Sequence, residues 1–86
     1  MEIKKKILNE EGLHARPAGI FAKVASGFQS KIEVGFNGRV VNAKSSMSLM
    51  TLGLSKDSEI AIRADGPDAE QALSRISEIV DQKFQI

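Results

Sequence analysis

The only histidine of the chain, His14, is the side chain best suited to nucleophilic chemistry near neutral pH, because a neutral imidazole has one unprotonated nitrogen. It lies in the segment Gly12–Ala18 (GLHARPA), immediately before an apolar pattern that opens with Pro17. Proline is typical of a first helical turn, so His14 is predicted at or next to a helix cap. The amides of a first turn are unpaired and the helix dipole adds partial positive charge there. The segment therefore indicates a site for an anion, either bound or covalently attached.

A phosphoryl group on the imidazole would meet the amides that follow His14. Arg16 could pair with the phosphoryl oxygens, and Ala15 and Pro17 would frame the group within the first turn. The dipole contributes only about 0.3–1 kcal/mol, so the group would be held without being trapped, as a phosphoryl carrier requires. The alternative is that His14 is an ordinary polar loop residue and Arg16 a solvated charge.

The size and composition of the chain exclude several kinds of site. With 86 residues we expect one small domain over residues 1–86. Such a domain buries only about 60–65% of its unfolded surface and has no room for an internal chamber, so the chemistry should lie at the surface. The absence of cysteine excludes disulfides, thiolate nucleophiles and cysteine-ligated metals, and one histidine cannot form a multi-histidine metal site. Metal sites made only of carboxylates stay open, but no pattern in the sequence favours one, so we expect no metal and no cofactor.

The charge pattern gives no general attraction to polyanions. Twelve lysines and arginines against eleven acids leave a net charge of +1, which does not favour nucleic acid or anionic lipid as a partner. No apolar run approaches the ~18 residues of a membrane span, and the first residues lack the apolar segment of a secretion signal. These features predict a cytoplasmic protein without membrane insertion or direct nucleic-acid binding.

The apolar spacing predicts alternating strands and helices. Glu2–Leu8 has strand spacing, with Lys5 on its apolar face, which favours an edge strand where lysine can reach water. The apolar positions between Pro17 and Phe28 follow helical spacing. The pair Asn37–Gly38 lies between two alternating stretches and predicts the tight turn of a hairpin.

The second half of the chain repeats this alternation. Ser45 is suited to cap a short helix whose leucines would point inward, and Ile60–Ala64 predicts another strand. The final helix opens at Asp65–Asp68 and carries an apolar stripe that ends at Phe84, with Lys83 placed favourably for the helix dipole. The order β-α-β-β-α-β-α predicts an α+β fold. We expect an open-faced β-sandwich, with three helices on one face of a four-stranded antiparallel sheet.

The segment Gly12–Ala18 resembles the active-site motif of the HPr family, the histidine-containing phosphocarriers of the bacterial phosphoenolpyruvate-dependent sugar phosphotransferase system. A second family block is similar to Asn42–Ser45 (NAKS), with Met47, Met50 and Leu52–Gly53 at the family's spacing. The resemblance covers the whole chain. Two blocks at the right separation are more specific than one.

The resemblance implies a function for the histidine. His14 would accept a phosphoryl group at Nδ1 from phosphorylated enzyme I and donate it to the IIA components of sugar permeases, with Arg16 attending the group. The protein would be a carrier with a covalent phosphohistidine intermediate and not an enzyme that turns over substrate alone. We expect it to act as a monomer.

The resemblance also implies a regulatory site. Ser45 matches the serine that HPr kinase/phosphorylase modifies, a modification read by a catabolite-control transcription factor. The alternative role of Ser45 is that of a helix cap alone. Ser46 stands where the family usually has a large aliphatic residue and Ser48 where glycine or lysine is common, so both are competing phosphoacceptors.

An apolar patch is predicted beside the histidine. Met47 and Met50 should project away from the core and join Ile20 next to His14, where adaptable methionines suit several partners in turn. Lys23 could help to dock acidic partners. The alternatives are that both methionines belong to the core and that Lys23 is an ordinary solvated lysine.

Two other functions compete with the carrier hypothesis. The first is a paralogue on the same scaffold, either a nitrogen-type carrier or a catabolite-repression regulator that acts through Ser45; the presence of His14 argues against a purely regulatory protein. The second is a small RNA-binding domain. Only 5% of the residues are aromatic, and Phe36 is the only one in a predicted strand, which makes a base-stacking sheet a poor interpretation.

Overall fold

Four strands and three helices alternate along the chain in a computed structural model that describes residues 1–85. Residue 86 of the predicted domain lies outside the described residues. Of the helices described, none is long and apolar enough to cross a membrane. The elements are β1 (Glu2–Lys6), α1 (Ala15–Ser26), β2 (Lys31–Phe36), β3 (Arg39–Asn42), α2 (Ser46–Met50), β4 (Glu59–Asp65) and α3 (Ala69–Asp81). This order confirms the predicted α+β fold.

The sheet has the strand order β1-β4-β2-β3, with every neighbouring pair antiparallel. The two central strands bury alternate residues, Ile60, Ile62 and Ala64 on β4 and Ile32 and Val34 on β2. The helices cover this apolar face and leave the opposite face of the sheet open. The hydrophobic core therefore lies between one sheet face and the helices.

The edge position predicted for the first strand is confirmed, because β1 pairs only with β4. The strand ends at Lys6, earlier than predicted, and the Ile7 amide bonds to the Ser58 carbonyl, in the loop before β4, at 2.9 Å. Lys5 does not simply reach water. Its ammonium donates to Asp81 Oδ1 of α3 at 2.6 Å, so the inward-facing lysine ties the edge strand to the last helix.

The predicted hairpin turn connects β2 and β3. Asn37 and Gly38 have φ values of 51° and 80°, the two left-handed positions of a type I′ turn. The register pairs Phe36 with Arg39, so the loop contains only these two residues. The local sequence signal is thus confirmed in full.

The first helix begins and ends two residues earlier than the apolar spacing predicts. His14 is extended (φ −89°, ψ −160°), and its carbonyl accepts the first helical hydrogen bond from the Ala18 amide at 2.9 Å. Ala15 is therefore the first helical residue and Pro17 the third. At the other end, the Gly27 amide bonds to the Val24 carbonyl at 3.1 Å, which tightens the last turn and ends the helix.

The last helix is shorter than its apolar stripe. Asp65 belongs to β4, and the helix runs from Ala69 to Asp81. Lys83 and Phe84 lie beyond it in left-handed conformation, with φ values of 56° and 61°. Phe84 was predicted to lie on the helical stripe; that placement is wrong, although its side chain is buried against Phe21 at a ring-centroid distance of 6.1 Å.

The residue before the last helix fastens it to the loop after α1. Asp68 Oδ1 accepts a hydrogen bond from the Ser30 hydroxyl at 2.5 Å and from the Ser30 amide at 2.9 Å, and Oδ2 accepts from the Gln29 amide at 2.9 Å. Asp68 is the N-cap residue, yet its side chain makes no cap bond. The Ser30 hydroxyl and the Gln29 amide hold the pKa of this carboxyl below its usual value, because they favour the charged form.

We expect Asp68→Asn to lower the melting temperature at pH 7 and to lose this effect in acid. Since the folded-state pKa lies below the ordinary value of 3.8, the stabilisation is present above about pH 4 and disappears as the pH falls through the lowered pKa. Thermal unfolding between about pH 2 and 7 measures the difference between variant and parent. Asp65→Asn, at an exposed carboxylate, is the control. A difference that stays constant down to the lowest pH would contradict an origin in the ionised carboxylate.

Candidate functional site

His14 is the N-cap residue of α1, as predicted, and its side chain is exposed. The imidazole makes no hydrogen bond to the helix that it precedes. The amides of Ala15 and Arg16 have no backbone acceptor among residues 1–85, and Pro17 has no N–H. Two unpaired amide donors and an unengaged imidazole therefore lie together at the start of the helix.

The loop before the histidine is held in place by the segment that follows α2. The Leu13 amide donates to the Leu54 carbonyl at 3.1 Å, and the Gly12 amide donates to the Asn9 carbonyl at 3.1 Å. Gly12 has φ of 70°, and a Cβ at this position would overlap the Leu54 carbonyl oxygen. Both the conformation and the close approach require glycine. The direction in which His14 leaves the loop is thus set by a contact with a distant part of the chain.

A surface cleft of about 300 Å³ opens beside the histidine. Of the predicted site residues, the structure brings His14, Arg16, Pro17 and Ile20 together in its walls. Ala15 is exposed next to His14 but is not part of the lining. The remaining lining residues were not predicted to belong to the site: Asn9, Glu10, Glu11, Lys83, Phe84 and Gln85.

Charges of both signs surround the cleft. Arg16 is exposed and makes no ion pair with residues 1–85, and Lys83 contributes a second cation to the walls. Glu10 and Glu11 lie on the same lining, and Glu10 is paired with Lys56 at 3.2 Å. The first turn of α1 contains no acidic residue. A doubly charged anion on the histidine would thus find donors and a guanidinium without a carboxylate in the helix start itself.

The buried side-chain amide of Asn9 stabilises the loop before His14. Asn9 is 5% exposed, and its Nδ2 donates to the Gly12 carbonyl. Its Oδ1 is buried without a hydrogen-bond partner among the described residues. Sequence reasoning missed this residue because an asparagine in a loop carries no periodic signal. Within residues 1–85, no group of three or more histidine, aspartate or glutamate side chains could hold a metal ion.

Ser45 is the N-cap of α2, as predicted, and its Oγ accepts a hydrogen bond from the Ser48 amide at 3.2 Å. Its side chain is half-buried. Ser46 is the first helical residue and is also half-buried, so neither hydroxyl is fully open to solvent. Leu49 and Leu52 point into the core as predicted, with exposures of 0% and 7%.

The two methionines of α2 lie on its solvent side. Met47 is 75% exposed and Met50 is 38% exposed, which excludes the alternative that they belong to the core. Neither lines the cleft, whereas Ile20 does and is partly buried. Lys23 is exposed in the last turn of α1, away from the cleft lining. The structure thus places Ile20 beside the histidine and leaves the methionines exposed on the neighbouring helix.

Comparison with known proteins identifies the family. A protein-family model described as "PTS HPr component phosphorylation site" matches residues 1–82. HPr-C-His from Thermoanaerobacter tengcongensis is 40% identical, with a TM-score of 0.96 over 100% of this chain and 97% of that one. The histidine-containing phosphocarrier of a Mycoplasma is 39% identical, with a TM-score of 0.90 over 96% of each chain.

A regulatory relative is also similar. Crh of Bacillus subtilis, described as a catabolite-repression protein that forms a dimer with a swapped domain, is 35% identical, with a TM-score of 0.78 over 92% of this chain and 91% of that one. The family match, the similar structures and the two amides without acceptors beside His14 among residues 1–85 lead to one conclusion. The chain is a phosphocarrier-type protein and belongs to the HPr family of the phosphotransferase system.

Proposed function

We propose that this protein accepts a phosphoryl group on His14 Nδ1 from phosphorylated enzyme I and donates it to the IIA domains of sugar permeases in the cytoplasm. One observation carries the proposal. The imidazole is exposed at the start of α1, in a chain of the HPr family. Beside it lie two amides and the guanidinium of Arg16, none of which has a partner among residues 1–85. An exposed position is required because both donor and acceptor are other proteins.

The transfer is a displacement at phosphorus between two imidazoles. The lone pair of His14 Nδ1 forms the new P–N bond while the P–N bond of the donor breaks, and the bonding pair returns to the donor imidazole. Nε2 keeps its proton throughout, so the reaction needs no net proton transfer. The second transfer, to a IIA domain, repeats these steps with His14 as the leaving group. The chain itself supplies positioning and donors for the charged oxygens.

The helix start keeps the phosphoryl group transferable. Ala15 and Arg16 each offer one amide, and Pro17 removes a third donor while it shapes the turn. The site is open to solvent, where the dipole and individual charged hydrogen bonds contribute about 1 kcal/mol or less. The phosphoryl group is therefore oriented by these donors, yet it stays exposed and is bound weakly enough to be transferred.

Serine phosphorylation on α2 is the proposed means of regulation. A phosphate on Ser45 would replace its cap bond with charged oxygens at a helix N-terminus, a location that tolerates negative charge. HPr kinase/phosphorylase is the proposed modifying enzyme and a catabolite-control transcription factor the proposed reader. Ser46 is the competing acceptor on the same turn.

The exposed methionines of α2 are proposed to extend the docking surface that begins at Ile20. Helices α1 and α2 pack against each other, so Met47 and Met50 lie on the same side of the molecule as the helix that His14 begins. Flexible thioethers adapt to different partners, which suits weak and brief complexes. Lys23 adds a positive charge for acidic partners.

The second candidate function is that of a paralogue, either a nitrogen-type carrier or a regulator like Crh, to which this chain is similar. The dimer described for Crh also makes a second copy a competing partner to the monomer that we propose. The exposed His14 favours the carrier, because a regulator acting only through Ser45 has no need of an unpaired imidazole at a helix start.

We expect incubation with phosphoenolpyruvate and enzyme I to add one acid-labile phosphate, and His14→Ala to abolish it. Mass spectrometry before and after acid treatment measures the adduct. Arg16→Ala should slow phosphorylation by up to about fivefold, because a charged contact at an exposed site contributes about 1 kcal/mol or less. An acid-stable adduct, or an adduct that persists in His14→Ala, would contradict the carrier function.

We expect Ser45→Asp to slow phosphorylation of His14 by enzyme I, since the added negative charge weakens docking of the partner. Initial rates from labelled phosphoenolpyruvate provide the measurement. Ser45→Ala is the matched control: it should lower stability by about 0.5–2 kcal/mol through loss of the cap while the rate stays near that of the parent. Equal rates for the aspartate and alanine variants would leave Ser45 as a cap only.

We expect Met47→Glu and Met50→Glu each to weaken binding to enzyme I by several-fold with little change in melting temperature, because both side chains are already in solvent. Isothermal titration and thermal unfolding measure the two effects. Val40→Glu, at a 60% exposed apolar residue on β3, is the matched control and should bind normally. A large fall in melting temperature, or the same loss of binding in the control, would contradict the docking surface.

A further inference from the structure

The turn after α3 carries a lysine where glycine is the usual residue. The Phe84 amide bonds to the Ile79 carbonyl at 3.0 Å, and the Lys83 amide bonds to the Val80 carbonyl at 3.0 Å. These two bonds define a Schellman motif, in which the left-handed position is held by Lys83 with φ of 56°. An L-amino acid is disfavoured in this conformation, and glycine is not. Backbone geometry alone therefore gives no reason for a lysine at this position.

The turn is fastened to the helix that His14 begins. Phe84 also has a left-handed backbone, with φ of 61°, and its side chain is 2% exposed. Its ring stacks on Phe21 of α1 at a centroid distance of 6.1 Å and an interplanar angle of 29°. This anchor directs the chain back over α1 after the helix ends. As a result, Lys83 and Gln85 join His14 and Arg16 in the walls of the same cleft.

The charge of a phosphoryl group on His14 would exceed the single positive charge of Arg16, so a second cation in the cleft would help to neutralise it. A phosphoryl group carries about −1.5 to −2 charges at neutral pH, and Arg16 supplies a single positive charge. Glu10 and Glu11 line the cleft as well, and only Glu10 has a lysine partner among residues 1–85. A sphere of about 300 Å³ is ~8 Å across, which is comparable with the Debye length of ~8 Å. A charge on the wall therefore acts on the whole cleft.

We propose that Lys83 is a positioning residue of the phosphoryl site, whose ammonium acts with Arg16 to favour the dianionic phosphoryl group on His14. The flexible four-carbon stem lets the charge follow the group while the backbone turn stays fixed. Lys83 forms no covalent bond and exchanges no proton; it changes only the electrostatic potential at the oxygens. This inference rests on the proposed carrier function of His14.

The test compares three substitutions of the same residue. Lys83→Gln removes the charge, Lys83→Arg keeps it, and Lys83→Gly removes it while relieving the left-handed backbone. The first readout is the pH midpoint of the phosphorus NMR shift in the isolated phosphoprotein, which follows protonation of the phosphoryl group. Loss of the cation should raise this midpoint by about 0.2–0.7 pH units in the glutamine and glycine variants and not in the arginine variant.

The second readout is the equilibrium level of phosphorylation with enzyme I, and the third is thermal stability. The equilibrium constant should fall about two- to fivefold in Lys83→Gln and Lys83→Gly and be restored in Lys83→Arg. Lys83→Gly should at the same time keep or raise the melting temperature, because glycine suits the turn. Lys31→Gln, at an exposed lysine of β2, is the charge-matched control and should behave as the parent protein.

The outcomes separate this inference from the proposed function. If the parent protein is not phosphorylated on His14, the carrier function fails and the role of Lys83 fails with it. If the parent is phosphorylated but the charge-removing variants keep its NMR midpoint, the role of Lys83 is wrong while the carrier function stands. If the NMR midpoint is unchanged while transfer from enzyme I is slower, Lys83 acts in docking of the partner and not on the phosphoryl group. That result also overturns the proposal.

Discussion

The contact between Gly12 and Leu54 is the constraint on which the site depends. The Leu54 carbonyl accepts the Leu13 amide and leaves no space for a side chain on Gly12. The chain can therefore enter α1 in only one direction, with residue 14 extended and the next residues helical. Because the imidazole leaves the backbone at this junction, it emerges beside the unpaired amides and outside the core. A different entry into the helix would separate the imidazole from the two amides.

The same contact joins the loop before His14 to the segment that follows α2. Leu54 lies in the segment that leaves α2, so the loop before His14 is held by the residues that follow the helix of Ser45. Lys56, in the same segment, pairs with Glu10 on the cleft wall. A change in α2 therefore has a short covalent and hydrogen-bonded route to the histidine loop.

The architecture separates stability from chemistry. The alternating apolar residues of β2 and β4 and the inner faces of the helices form the core, while His14, Arg16 and the methionines of α2 are exposed. Asp68 and Lys5 fasten the two ends of α3 to the loop after α1 and to β1. The exposed side chains of His14, Arg16 and the two methionines therefore contribute little to the packing that keeps the domain folded.

The sequence by itself determined the element order, the hairpin turn, the capping role of Ser45 and the helix start at His14, because each is specified by residues a few positions apart. Helix ends were less well predicted, since they depend on which carbonyls are free to accept. Only the tertiary structure decided that Asn9, Lys83 and Phe84 belong to the cleft. Lys83 had a sufficient local explanation in the helix dipole. Its place beside the histidine follows from the burial of Phe84 against Phe21, a contact between the turn after α3 and α1 that no local pattern encodes.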